Sequence, residues 1–375
     1  MPNFKSLEAA IDPNNRLTFL LDWELTMKCN LDCSYCPEGL YSGHLNSTPH
    51  PKLKDCLPTI DFMYQYVDQF MQSKSRAFKH VVLNIYGGEA LFHSDIEEIV
   101  KQCHERYHDY KDKWKLSIST TTNLTVTKKK LLSLIPYIDE WTCSFHSESS
   151  NKQKSMFFEN LLLLKKHGKS SKVVVLMHSD KQRFAESQNT IAWCQENNIK
   201  YLPRQIDHHF NADFEYDSEQ VEWFDSLYNS RNKKTVISIV PESQAKVDLA
   251  EVGRSCCGGR LVCTDSNYKN QISFVENKFT DWKCSVNHFF LYVKQITGEV
   301  FNNKDCKTNF ENKLGPVGYL SDTAGILDQA KNFVSKGTQS YTTCIKRKCM
   351  CGLCAPKAQT STEYSKIIGK YLYES

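Results

Sequence analysis

Residues 23–39 read WELTMKCNLDCSYCPEG and set Cys29, Cys33 and Cys36 in a C-x3-C-x2-C spacing, with Tyr35 just ahead of the last cysteine. Three thiolates this close can converge on one metal centre, yet they fall one short of saturating a tetrahedral ion or a four-iron cubane. An open coordination position is where substrate or cofactor chemistry takes place, as it is at catalytic zinc. A cysteine-only donor set at this spacing favours an iron–sulfur cluster. A zinc site completed by His44 or a distant cysteine is the structural alternative.

Sixteen cysteines occur in the 375 residues. Beyond the first loop, Cys56, Cys103, Cys143 and Cys194 are scattered, and nine more follow residue 255. No stretch of 18 or more apolar residues exists, so no membrane span is expected, and the first 16 residues lack a signal-peptide apolar core. A cytoplasmic chain is the expectation. There, cysteines in such numbers are metal ligands or buried thiols rather than disulfides. A net charge of +4 does not call for a nucleic-acid partner. The short basic runs 128–130 and 346–348 do not change that.

Something must hold the first loop in place. Leu17 to Thr26 reads as a largely buried strand, 39–58 as loop, and Thr59 to Gln72 as a helix with apolar residues at helical spacing. Lys79 to Tyr86 is a second strand ending at Gly87, Gly88 and Glu89, followed by a helix over 94–107 with Ser94 as its N-cap. Strands at 115–123, 140–146, 172–178 and 199–206 alternate with helices at 128–135, 154–167 and 184–197. Six β-then-α units imply a parallel sheet with helical crossovers. The expected fold is α/β, a partial (β/α)6 TIM-like barrel with its chemistry at the C-terminal strand ends; a doubly wound open sheet shares the same pattern. The alternation stops near residue 208, with a helix at 218–228 and a further strand at 235–240. The domain expectation is a lead-in over 1–17, a core over 18–230 and a cysteine-rich region over 231–375.

The cysteine triad after strand one and Gly87-Gly88-Glu89 at the end of strand two, in that order, resemble the radical S-adenosylmethionine (radical SAM) enzymes. The glycines permit close backbone approach to a ligand. The resemblance implies a [4Fe–4S] cluster on Cys29, Cys33 and Cys36 whose fourth iron is chelated by SAM. It gives the methionine amine to Gly87, Gly88 and the Glu89 carboxylate. Polar strand ends supply further SAM contacts: Asn123 with Thr121 and Thr122, then Ser144 and His146, with Arg204 a partner for a carboxylate. His178, Ser179 and Gln205 line the same end. No catalytic acid or base is assigned.

A hairpin around Gly298 lies between Cys284 and Cys306, and a C-x2-C pair, Cys351 and Cys354, follows. This resembles the SPASM and Twitch extensions of the same superfamily and implies one auxiliary [4Fe–4S] cluster on those four cysteines. Cys344 and Cys349 are spare ligands, or part of a second cluster, and Cys256, Cys257 and Cys263 stay unassigned. A zinc knot is the structural alternative here. The array departs from a full seven-cysteine SPASM pattern.

The activity implied is reductive cleavage of SAM to a 5′-deoxyadenosyl radical that takes a hydrogen atom from a small molecule or peptide, giving net oxidation or modification. An external one-electron donor of flavodoxin or ferredoxin type is the implied partner. Only about 17 residues precede strand one, leaving no leader-binding module of the kind peptide modifiers often carry, which tilts the expectation toward a small molecule. A non-catalytic iron–sulfur or zinc protein is the alternative class, and Glu89 discriminates: a mere cluster protein has no use for an amine-binding strand end.

Overall fold

The computed structural model describes residues 6–7, 17–36, 48–72, 78–206, 214–232, 280–304, 306–345 and 357–369. His44, the strand at 235–240, the run 346–348, and Cys256, Cys257, Cys263, Cys349, Cys351 and Cys354 lie outside the described residues.

Six parallel strands stand side by side in chain order: β1 (Leu17–Thr26), β2 (Phe78–Gly87), β3 (Lys115–Thr122), β4 (Glu140–Phe145), β5 (Ser170–Met177) and β6 (Lys200–Gln205). Between them run α1 (Leu53–Gln72), α2 (Ile96–Tyr107), α3 (Lys128–Leu134), α4 (Asn151–Lys166) and α5 (Lys181–Glu196), with α6 (Ser218–Asn232) after the last. On the free side of β1 the sheet continues through β7 (Phe290–Lys294), β8 (Glu299–Phe301) and β9 (Gly318–Tyr319). β7 runs parallel to β1 with Tyr292 opposite Asp22, so the C-terminal region adds strands to the same sheet. The edges are β6 and β9, and this is an open, partial barrel. The hairpin turns at Gly298, φ +71°, where a left-handed backbone favours glycine.

The two faces of the sheet differ in chemistry. Phe19, Leu21, Trp23 and Leu25 on β1, Val81, Leu83 and Ile85 on β2, and Trp141, Cys143 and Phe145 on β4 join one apolar core with the helices. The alternate residues include Asp22, Glu24, Asn84, Tyr86, Ser119, Thr142, Ser144 and His146, and they form an inner face rich in polar groups. Such alternation separates packing from chemistry toward the C-terminal strand ends; nearer the other end Leu20 and Val82 also join the core.

Two boundaries depart from the sequence reading. α1 begins at Leu53, not Thr59, and takes Pro58 into its interior; the fully buried Cys56 and Ile60 show that this turn packs on the core despite the lost backbone donor. The N-cap position of α2 is Asp95 rather than Ser94, and it makes no side-chain cap; the Asp95 amide instead donates to His93 Nδ1 at 3.0 Å. Elsewhere the caps are conventional: Ser150 and Gln153 form a reciprocal capping box on α4.

A second, four-stranded sheet is built from short pairings among 6–7, 357–358, 283–284 and 342–343. No described helix is long and apolar enough to cross a membrane.

Candidate active site

The cysteine loop leaves β1 at Thr26, and the end of β2 is fastened to its first residues. The Gly88 amide donates to Thr26 O at 2.8 Å and the Glu89 amide to Lys28 O at 2.9 Å. A Cβ on Gly87 would stand 1.9 Å from Thr26 O, and one on Gly88 2.5 and 2.6 Å from Met27 O and Lys28 O. The glycines are therefore required by close approach, but the backbone they approach is the entry to the cysteine loop.

Glu89 is fully buried. Its carboxylate accepts from the Leu91 amide (3.0 Å), the Thr122 hydroxyl (2.7 Å) and the Asn123 amide (2.5 Å), joining the ends of β2 and β3. Burial pushes its pKa up to about 7, against the lowering effect of those three donors. The carboxylate is thus engaged by its own chain, as are the Gly88 and Glu89 amides.

Asn123 carries the connection into the loop. Its Nδ2 donates to Asn30 Oδ1 at 2.8 Å and lies 3.8 Å from Cys29 Sγ, and its Oδ1 accepts from Thr125. Asn30 returns a bond to Thr125 Oγ1 at 2.8 Å. Asn123 is thus a bracket for the cysteine loop.

The far end of the loop is held from β4 and β5. Tyr35 is buried, with its hydroxyl 2.7 Å from His146 Nδ1 and its ring stacked on that imidazole. His146 also lies 3.4 Å from Cys33 Sγ. Burial holds the imidazole down at about 4, so it is neutral at pH 7. Cys33 and Tyr35 pack on Val174, Leu176 and Ile206 of the inner face. Glu148, just past β4, accepts from both the amide and the hydroxyl of Ser34 at 2.6 Å. Its carboxylate also pairs with Arg183, and His178 Nε2 is 3.3 Å away. The Asp180 amide donates to His178 Nδ1, which leaves Nε2 to donate toward Glu148. Glu148, Ser34, Asn30 and Arg183 carry no periodicity or motif in the sequence; only an acidic residue just beyond a strand end hinted at the first.

The remaining sequence-selected residues sort by face. Ser144 is the register partner of Val174, and Arg204 that of Leu176, so both project to the inner face that carries Cys33 and Tyr35. Thr121 lies half-buried on the same face, Thr122 is spent on Glu89, and Gln205 is exposed. The Ser179 carbonyl accepts from Gln220.

The donor set of the loop suits an iron–sulfur cluster. Burial pushes the Cys29 thiol up to about 12, and the hydrogen bond that Cys33 donates to Cys36, together with burial, pushes Cys33 up while it lowers Cys36. A cation on the sulfurs would favour the thiolate at Cys29 and Cys33 as well. The Leu31 amide and Asn123 Nδ2 already point toward Cys29 Sγ, as suits a thiolate.

A second group of cysteines lies in the C-terminal region. Cys284, Cys306 and Cys344 are buried. Cys284 stands in the small sheet between Thr342 and the buried Lys357, both its register partners. Asn303 ties the Cys284 and Cys306 segments together, with Nδ2 at 3.1 Å from Asn287 Oδ1, 2.9 Å from Asn302 Oδ1 and 2.8 Å from Thr308 O.

With this geometry in place, comparison with solved structures gives a consistent answer. Native anSMEcpe with bound AdoMet aligns over 94% of this chain and 96% of its own, with a TM-score of 0.51 at 12% identity. Native anSMEcpe with bound AdoMet and Cp18Cys peptide aligns over 95% and 96%, again with a TM-score of 0.51 at 12% identity. The chain has the anSMEcpe fold. The likeness spans the barrel and the C-terminal region alike. No family model matches the chain, and no curated protein matches it.

Proposed function

We propose that the chain is a radical SAM enzyme. The observation that carries this is the docking of a three-cysteine loop on the C-terminal strand ends, with the Gly87-Gly88 strand end bonded to its entry. Cys29, Cys33 and Cys36 would hold a [4Fe–4S] cluster and leave one iron for SAM. Bound together, these groups supply a 5′-deoxyadenosyl radical that removes a hydrogen atom from the substrate. The chain's own residues orient and enclose. Gly87, Gly88, Ser144, His146 and Arg204 would contact SAM, while Glu89, Asn123 and Glu148 hold the loop. His146, neutral at pH 7, offers a hydrogen bond without a charge.

The substrate we assign is a side chain carried on a peptide. Solved structures of the same fold hold a peptide beside AdoMet, and the likeness extends over 95% of this chain and 96% of those. An auxiliary cluster in the C-terminal region, with Cys284 and Cys306 among its ligands, would take up the electron released when the substrate radical is oxidised. A flavodoxin- or ferredoxin-type donor in the cytoplasm would supply the first electron.

The test is anaerobic reconstitution, then incubation with SAM and dithionite. Formation of 5′-deoxyadenosine is expected, and its loss in the combined Cys29→Ala, Cys33→Ala, Cys36→Ala protein. About four irons should remain in that variant. Cleavage that survives the triple substitution would overturn the site; a protein that binds iron but never cleaves SAM would point to a non-catalytic cluster carrier.

A further inference from the structure

Burying a hydrogen-bond donor without an acceptor is costly, and native interiors contain few such groups. Several in this chain gather around Cys284 and Cys306. Asn287 Nδ2, Asn302 Nδ2 and Thr342 Oγ1 have no partner, and all three residues are essentially inaccessible. Asn287 is three residues from Cys284, Thr342 is the cross-strand partner of Cys284, and Asn302 is four residues ahead of Cys306.

Asn303 Nδ2 stands within reach of four oxygens, Asn287 Oδ1, Asn302 Oδ1, Thr308 O and Thr308 Oγ1, which share its two hydrogens. With their oxygens toward Asn303, the NH2 groups of Asn287 and Asn302 are turned away from it. Asn303 Oδ1, also unpaired, is an acceptor rather than a donor. His288 provides the contrast. Equally buried and one residue away, it spends Nε2 on Ser340 O at 2.6 Å and Ser340 Oγ at 3.0 Å.

We propose that Asn287 and Asn302 donate hydrogen bonds to sulfur atoms of an auxiliary iron–sulfur cluster held in part by Cys284 and Cys306, and that they raise its reduction potential. The inference rests on the auxiliary-cluster reading above. Sulfide and thiolate sulfurs are the acceptors that a cysteine-bound cluster presents, and N–H donors stabilise its more negative reduced form. The asparagines are positioning residues: they bind no substrate and ligate no iron. They set how readily the cluster accepts an electron.

The experiment uses the full-length reconstituted chain carrying Cys29→Ala, Cys33→Ala and Cys36→Ala, so that only the auxiliary cluster gives a paramagnetic signal. Pulsed EPR of the reduced cluster is recorded with natural-abundance and 15N-labelled asparagine. A nitrogen coupling that changes isotope with the label is expected. Asn287→Leu and Asn302→Leu together should remove it and shift the midpoint potential to a more negative value, with iron content unchanged. An unshifted potential, or iron retained with no asparagine coupling, would overturn the proposal, since the donors would then serve trapped water. A triple-alanine protein without iron would instead sink the auxiliary cluster itself, and this proposal with it. Should the leucine variants fail to fold, the isotope comparison on the unsubstituted asparagines decides alone.

Discussion

The two cysteine regions are built on opposite terms. Around Cys29, Cys33 and Cys36, the side chains that hold the loop are matched within the chain: Glu89 has three donors, Asn123 and Asn30 bond one another, and Glu148 takes Ser34, Arg183 and His178. Around Cys284 and Cys306, Asn287, Asn302 and Thr342 are left with unused donors. A loop whose holding side chains are matched internally keeps its shape without a ligand, even with Ser147 Oγ and Tyr86 Oη unpartnered nearby. A site with surplus donors is complete only when something with acceptors arrives. The first arrangement suits the proposed cluster, which would stay fixed while SAM came and went; the second suits a resident group.

That contrast can be broken by substitution. The largest effect is expected at Gly87→Ala, where the new methyl meets backbone that cannot yield. A loss of about 3 kcal/mol or more in denaturant unfolding is expected, and Gly87 tolerating alanine would mean the strand end is not locked to the loop. Next comes Glu148→Ala, which strips the Ser34 amide and Arg183 of a charged acceptor. It should cost about 2–3 kcal/mol and loosen iron retention by Cys29, Cys33 and Cys36, read by chelator challenge; iron held as firmly as before would remove Glu148 from the clamp.

Glu89→Gln is expected to cost about 1–2 kcal/mol at pH 8, because an amide nitrogen would face one of three donors. The same residue makes a pH prediction. Its folded pKa, about 7, lies above the ordinary carboxylate value, so the folded chain holds that proton more tightly. Its contribution is fully present below 4.5 and lost as pH rises to about 7. The Gln variant should lose that part of the slope in urea titrations of the metal-free chain, and an unchanged slope would contradict the burial argument. The smallest effect is expected on the other side of the comparison. In the metal-free chain, Asn287→Leu or Asn302→Leu should change stability by less than about 1 kcal/mol, since each removes an unmatched donor and only one of the four oxygens that share the two hydrogens of Asn303 Nδ2; a loss as large as that at Glu89 would erase the contrast.

Much of this was legible before any coordinates. Alternating apolar runs predict six strands and their crossovers because buried parallel strands need one apolar face and helices need a stripe, and both periods are written in the chain. Leu53 escaped because a loop-like composition around Pro58 hid a turn that only packing stabilises. Ser94 gave way to Asp95 for a related reason: His93 already satisfied the local amide.

The sequence by itself determined that Cys29, Cys33 and Cys36 share a loop one ligand short of a full metal site, and that this loop follows a strand. Local spacing suffices for that, since residues so few apart cannot separate. Only the tertiary structure decided what Glu89, Asn123, Glu148 and the asparagines do. Their partners are 33 to 114 residues away or across a hairpin, and a polar side chain carries no mark of which distant donor or acceptor the fold will bring to it.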